Sequence, residues 1–106
     1  MAKYLFQGNY VGEGIEGLMR EGGSSRRDAA AEALASVGGT LECLYYAFGD
    51  TDIFGIIDVP DQASAAAVSL IINASGAVSL RLTPLMTPED LDEAAKKTPS
   101  YRPPGK

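Results

Sequence analysis

The sequence predicts a single α+β domain in which two helices cover one face of a four-stranded antiparallel sheet. Its 106 residues suffice for one domain, and 45% hydrophobic with 22% charged residues is typical of a globular chain. Four segments rich in β-branched and aromatic residues alternate with two segments of helical spacing. The core of such a chain is real but small, because only about 65% of its surface becomes buried on folding.

The first half of the chain predicts one strand and one helix. Residues 3–10 alternate and carry aromatic and leucine side chains, which favours a strand. Gly22–Gly23 interrupts the chain, and Ser25 then fits as a helix N-cap with Asp28 completing a capping box. We expect the helix to continue through residues 29–37, which are strong helix formers.

The next two strands are predicted to form a hairpin, with residues 40–48 and 53–59 joined by a turn at residues 49–52. Strict alternation divides the second strand into one face with Leu41, Cys43, Tyr45 and Ala47 and another with Glu42, Leu44, Tyr46 and Phe48. In the third strand, Ile53 and Ile57 oppose Phe54 and Ile56. Both strands are therefore apolar on both faces.

The remaining chain predicts a second helix, a fourth strand and a short terminal helix. Asp61 or Ser64 is the expected N-cap of a helix that extends to about residue 75. One stripe of this helix is apolar and consists of Ala63, Ala66, Ala67, Leu70, Ile71 and Ala74. Residues 77–85 favour the fourth strand, and Thr87 with Pro88 begins the last helix. The order β-α-β-β-α-β is the ferredoxin-like arrangement, predicted over residues 1–97 and followed by an irregular, proline-rich tail over residues 98–106.

Two helices cannot cover both faces of this sheet. An uncovered apolar face would expose several hundred Å² of hydrophobic surface, which is typical of an interaction site. We therefore predict a homodimer in which the open sheet faces pack together, since two-fold pairing is the commonest assembly. The alternative is that the C-terminal segment folds over the open face of its own sheet.

Composition excludes several kinds of chemistry. The chain has no histidine and no tryptophan, and Cys43 is its only cysteine. This excludes a Ser-His-Asp triad, a Cys-His pair and an intramolecular disulfide, and no metal site and no cofactor are predicted. Cys43 has only Glu42 as a charged neighbour in the chain, so it is interpreted as a small buried hydrophobe.

Charge and hydropathy restrict the partners. A net charge of −5 has the wrong sign for nucleic-acid binding. The longest nearly apolar stretch, residues 65–72, is far too short to span a membrane, and no signal peptide precedes the first strand. We expect a cytoplasmic protein.

Five segments together resemble the GYD domain family of small bacterial proteins: Lys3–Leu5, Tyr10–Gly14, Glu21–Arg27, Tyr45–Asp52 and Ser75–Leu85. The resemblance covers about residues 3–95. It implies a ferredoxin-like fold and a dimeric α/β barrel, and it carries over no catalytic residue. One departure is that Thr51 stands where the signature of that family has tyrosine.

Two groups of residues are candidate ligand sites. Ser25, Arg26 and Arg27 follow two glycines at a helix start, where free N–H groups and positive charge favour a phosphate or carboxylate. The alternative is a capped helix whose arginines pair with neighbouring acids. Arg81 shares a strand face with other polar residues, and we expect it near Gln7, Asn9, Glu42 or Tyr46, where arginine and tyrosine would bind an acidic ligand. The alternative is a solvated strand face or an ion pair with Glu42.

Aspartates near the hairpin, Asp50, Asp52, Asp58 and Asp61, match no calcium-binding spacing and are interpreted as turn residues. Three functions remain open. The first is a dimer that binds a small ligand, either anionic or neutral; the second is a cofactor-free isomerase, decarboxylase or monooxygenase that uses arginine and tyrosine; the third is a structural or regulatory interaction module.

Overall fold

A computed structural model describes residues 2–106; Met1, the first residue of the predicted domain, lies outside them. The elements in chain order are β1 (Ala2–Tyr10), α1 (Gly14–Glu21), α2 (Gly23–Ala35), β2 (Thr40–Tyr46), β3 (Ile53–Val59), α3 (Gln62–Ala74), β4 (Val78–Leu85) and α4 (Pro88–Ala95). The strand and helix order confirms the predicted α+β class.

The four strands form one antiparallel sheet in the order β2-β3-β1-β4. This order is consistent with the ferredoxin-like arrangement predicted from the sequence. The segment α1–α2 connects β1 to β2, and α3 connects β3 to β4. The hairpin between β2 and β3 is closed by Ala47, whose N–H donates to the Asp52 carbonyl at 2.8 Å.

The core lies between the sheet and the helices α2 and α3. Tyr4, Ile57 and Val59 on the strands pack with Leu34 of α2 and with Ala65 and Val68 of α3. A second buried group, Phe6, Ile53 and Leu80, continues this core toward the other end of the sheet. The period of two along β1 and β3 buries every second residue on this one side.

The first crossover differs from the prediction. It contains two helices instead of one, because Gly22 adopts a φ of 87° that ends α1 and directs the chain into α2. Ser25 is therefore not an N-cap: it lies in the first turn of α2, and no side chain caps this helix. The predicted capping box with Asp28 is wrong for the same reason.

The assignment of faces in β2 was also wrong in part. A bulge between Leu41 and Cys43 places one extra residue in β2, so the alternation shifts. Leu41 pairs with Ile57 and Tyr46 with Ile53, both of which face the helices. Tyr46 consequently lies on the same side as Leu41, whereas strict alternation had placed the two on opposite faces.

The apolar stripe predicted for α3 faces solvent. Ala65 and Val68 are buried and Ile72 packs against the core, whereas Leu70 is 71% exposed and Ile71 is 73% exposed. This helix is apolar on most of its circumference, so periodicity alone did not select the buried side. Its predicted N-cap is confirmed: the Asp61 carboxylate accepts from the Ser64 N–H at 2.8 Å.

The other side of the sheet, which we call the open face, carries no helix. Its central residues are half-buried and include Leu5, Gln7, Cys43, Phe54 and Ile56. Every residue from Thr83 to Lys106 is exposed, so α4 and the tail do not cover this face. Thr87, with which the last helix was predicted to begin, is its N-cap and forms a capping box with Asp90 that stabilises α4 locally.

Candidate functional site

A groove of about 580 Å³ opens between α1, the start of α2 and the turn that precedes β4. We call it the outer groove. Tyr10 and Val78 form part of its floor, and Arg20, Glu21 and Arg26 supply charge along its side. It is the largest of the cavities in the described part of the chain that combine charged side chains with a tyrosine hydroxyl.

The outer groove depends on a close approach between α1 and the turn before β4. The Val11 N–H donates to the Ala77 carbonyl at 2.9 Å. A Cβ atom on Gly14 would lie 2.1 Å from the same carbonyl oxygen, so only glycine allows α1 to begin here. This contact holds α1 beside β4 and fixes one wall of the groove.

Arg26 and Tyr10 are the polar groups at the inner edge of the groove. Burial raises the pKa of the Tyr10 hydroxyl above its ordinary value, and the neighbouring Tyr46 hydroxyl raises it further, while the Arg26 guanidinium acts in the opposite direction. Tyr10 is therefore protonated at neutral pH, with its hydroxyl beside that of Tyr46. The Arg26 guanidinium lies 3.5 Å from the Glu21 carboxylate, which is half exposed.

Tyr46 is fixed against the beginning of α2. Its hydroxyl donates to the Gly23 carbonyl at 3.0 Å. A Cβ atom on Gly23 would lie 2.9 Å from the Tyr46 ring, so the glycine provides the space that the ring occupies. The bulge in β2 is what brings Tyr46 to this side of the sheet and beside Tyr10.

A smaller cavity of about 100 Å³, which we call the inner chamber, lies between the sheet and the helices α2 and α3. It shares Tyr10, Arg26 and Val78 with the outer groove, so the two cavities meet at these side chains. The other residues that line the chamber are all apolar: Phe6, Ala29, Ala30, Ala33, Leu44, Ile53 and Ile72. The chamber therefore has Arg26 and Tyr10 on the part of its wall that it shares with the outer groove, and apolar side chains on the rest.

The structure separates the three predicted anion-binding residues of α2. Arg26 faces the groove, whereas Ser25 and Arg27 are exposed. The Arg27 guanidinium lies 3.5 Å from the Asp28 carboxylate, as the alternative of paired surface arginines predicted. Only one member of this group therefore reaches a cavity.

Arg81 lies on the open face with two of its predicted neighbours. Gln7 is its cross-strand partner, and the Asn9 side-chain oxygen lies 3.5 Å from the guanidinium. Arg81 also donates to the Thr51 hydroxyl at 3.3 Å, so the residue that replaces the signature tyrosine contacts this group. Tyr46 does not join it, because the β2 bulge turns Tyr46 toward the helices. Glu42 does not join it either, since it pairs with Lys3.

The hairpin aspartates have structural roles. The Asp52 carboxylate accepts from the Tyr10 N–H at 3.0 Å, and the Asp50 carbonyl accepts from the Asn9 amide at 2.7 Å. Asp58 lies 3.6 Å from the Lys3 ammonium group, and Asp61 caps α3. Within residues 2–106, no three carboxylates or thiols gather closely enough to hold a metal ion.

Sequence reasoning missed Tyr10 as a site residue and grouped Arg26 with the wrong neighbours. The sequence correctly predicts Tyr10 at the end of a strand. It does not indicate that Gly14, shortly after Tyr10, begins one wall of a cavity. The available signal was the short spacing from Tyr10 to Gly14. Arg26 and Tyr46 could not be joined because the bulge in β2 was not visible in the alternation.

The fold and the cleft together define a small ferredoxin-like α+β domain in which Arg26 and Tyr10 lie where an outer groove adjoins an apolar chamber. The comparison with known families then gives its place: the GYD domain family matches residues 4–95, and the chain belongs to that family. No curated protein and no solved structure matches the chain significantly. Among residues 2–106, no helix has the length and apolarity needed to cross a membrane.

Proposed function

We propose that this protein binds a small organic anion at the junction of the outer groove and the inner chamber. The observation that carries the proposal is the position of Arg26, whose side chain lines both cavities together with Tyr10. A guanidinium and a protonated phenol side by side are suited to one carboxylate or phosphate group. The ligand would replace Glu21 as the partner of Arg26.

The state of Tyr10 favours binding over base catalysis. Because burial raises the pKa of its hydroxyl, Tyr10 donates a hydrogen bond at neutral pH and does not remove a proton from a substrate. The cofactor-free enzyme predicted as an alternative placed its chemistry on Arg81 and Tyr46, which lie on opposite sides of the sheet. Ligand binding accounts for the same geometry without a reaction. The cytoplasmic location expected from the sequence stays a prediction.

The anion proposal is tested by titrating the full chain with acetate and with inorganic phosphate while NMR chemical shifts are followed. We expect saturable shifts at residues of α1 and the first turn of α2. The variant Arg26→Gln should weaken binding about tenfold or more, as expected for the loss of a hydrogen bond to a charged group.

Arg27→Gln is the matched control, because Arg27 is the next residue of the same helix and pairs with Asp28 at the surface. It changes the net charge by the same amount and should leave the affinity unchanged. Equal weakening by both variants would show that the anions respond only to overall charge. That result, or the absence of any saturable shift, contradicts the proposal.

We further propose that the open face packs against the open face of a second copy. Tyr45 on β2 is 69% exposed and stands beside its cross-strand partner Phe54, next to half-buried Leu5 and Ile56. The Asp58 Oδ1 atom on this face is buried and has no hydrogen-bond partner within the described chain. A second copy would cover the apolar side chains of this face.

The dimer is tested by light scattering at micromolar concentration, where we expect twice the 11.1 kDa of one chain. Tyr45→Glu should shift the mass toward one chain by placing a charge in the interface. Leu70→Glu is the control, since Leu70 is equally exposed but lies on α3, on the opposite side of the sheet. A monomeric wild-type mass contradicts the dimer.

A further inference from the structure

Resting on the proposed anion site, we propose that the ligand is a monocarboxylate with a short aliphatic tail, whose head binds Arg26 and Tyr10 and whose tail fills the inner chamber. The juxtaposition that carries this inference is a single polar entrance followed by a wall of apolar side chains. The apolar tail distinguishes this class of ligand from small anions in general.

Beyond Arg26, the inner chamber exists because α2 presents only alanine side chains toward it. Ala29, Ala30 and Ala33 face the chamber from α2, while Phe6 and Ile53 face it from the sheet. Apolar walls favour apolar guests, as an engineered cavity of about 150 Å³ lined by apolar side chains accepts benzene. The chamber is therefore suited to hydrocarbon and offers no hydrogen-bond partner to a polar tail.

The volume of the chamber limits the tail. At roughly 30 Å³ for each carbon, the space that one water takes in the liquid, the chamber of about 100 Å³ holds about three carbon atoms. The next cavity inward, lined by Leu34, Ile57 and other core side chains, provides only about 20 Å³. A longer tail would have to displace the packed core.

Charge at the entrance selects the head group. Arg26 is the one cation shared by the two cavities, and Glu21 already lies 3.5 Å from it. Glu13 also lines the outer groove. A single carboxylate that replaces Glu21 matches the Arg26 guanidinium, whereas a second negative group at the far end of the tail would lie in the chamber among apolar side chains, with no cation beside it there. We therefore favour a monocarboxylate over a dicarboxylate.

The test is a chain-length series of acetate, butyrate, pentanoate, hexanoate and octanoate, titrated against the full wild-type chain and followed by NMR. Affinity should rise about fourfold with each methylene that enters the chamber. We expect the rise to end near pentanoate, where the three carbon atoms beyond the α-carbon fill the chamber and the α-carbon stays beside Arg26. An affinity that is flat across the series, or that continues to rise to octanoate, overturns the inference.

Ala30→Leu adds three carbon atoms inside the chamber and should reduce the affinity for pentanoate to about that for acetate. Ala35→Leu is the control, because Ala35 is exposed at the end of the same helix, and it should keep the wild-type chain-length dependence. The series on the wild type decides the question even if Ala30→Leu fails to fold. Acetate binding that depends on Arg26 without any gain from the tail overturns only this inference, whereas the absence of all anion binding overturns the proposed function as well.

Discussion

Single residues determine whether the cleft can form. The Gly14 backbone approaches the Ala77 carbonyl more closely than any side chain would allow, and Gly23 leaves room for the Tyr46 ring. Asp52 connects the hairpin to the end of β1, because its carboxylate accepts from the Tyr10 N–H. These contacts place Tyr10 at the junction of the two cavities, where its hydroxyl is available to a ligand.

Replacement of Asp52 by alanine should lower the free energy of unfolding by about 1–3 kcal/mol, the usual cost of leaving a partly buried backbone donor unpaired. Urea unfolding measures this change. Asp50→Ala is the control, because Asp50 forms its hydrogen bond to the Asn9 amide through the backbone carbonyl, which alanine retains. The free energy of unfolding of this variant should stay within about 0.5 kcal/mol of wild type. Equal losses in the two variants would contradict the assigned role of Asp52.

At the scale of elements, two local irregularities decide the site. Gly22 divides the first crossover into α1 and α2, and this division turns Arg26 toward the groove. The bulge in β2 turns Tyr46 toward the helices. Helix α3, by contrast, starts as the sequence predicts, since Asp61 satisfies the Ser64 N–H that the helix itself cannot.

The N-cap of α3 predicts a dependence of stability on pH. The bond from Ser64 lowers the pKa of the Asp61 carboxyl below its ordinary value of 3.8. Because the pKa is lower in the folded than in the unfolded chain, the stabilisation is complete above about pH 4 and is lost as the pH falls through the folded value.

Asp61→Ala should therefore lower the Tm at pH 7, and the difference from wild type should shrink below pH 4. Circular dichroism melting at both pH values checks this, with Asp92→Ala on the exposed surface of α4 as a control for net charge. A difference in Tm that is the same at both pH values contradicts the capping role.

The whole molecule is longer than a compact domain. Its radius of gyration is 16.9 Å, against about 13 Å expected for 100 residues, and it extends over 56 × 33 × 23 Å. The exposed segment from Thr83 to Lys106 contributes to this length. The open face is also uncovered, and apolar side chains on it such as Tyr45 lie in solvent. Their exposure supports the proposed dimer.

If the dimer is the folded unit, the Tm should rise with chain concentration, because mass action favours the folded pair over two unfolded chains. Scanning calorimetry checks this over a hundredfold range of chain concentration, about tenfold below to about tenfold above the micromolar range. Tyr45→Glu should remove the dependence and Leu70→Glu should retain it. A Tm that does not change with concentration in the wild type contradicts the proposal.

The sequence by itself determined the fold class, the strand order along the chain and the cap at Thr87, and it narrowed the cap of α3 to Asp61 or Ser64 and the neighbours of Arg81 to four residues, of which Gln7 and Asn9 are correct. These features follow from local rules: alternation along a strand, side-chain oxygens that accept from free N–H groups, and glycine where φ is positive. The exclusion of histidine and disulfide chemistry is likewise a property of composition alone.

Only the tertiary structure decided which residues share the cleft. A bulge adds one residue to a strand and thereby reverses the face of everything beyond it, and a helix that is apolar all round carries no periodic signal for its buried side. The bulge explains why Tyr46 was misplaced, and the break at Gly22 explains why Arg26 was. The exposure of Leu70 was missed because α3 is apolar on most of its circumference. The pairing of Tyr10 with Arg26 joins distant parts of the chain, so it became visible only when β1 and α2 were packed together.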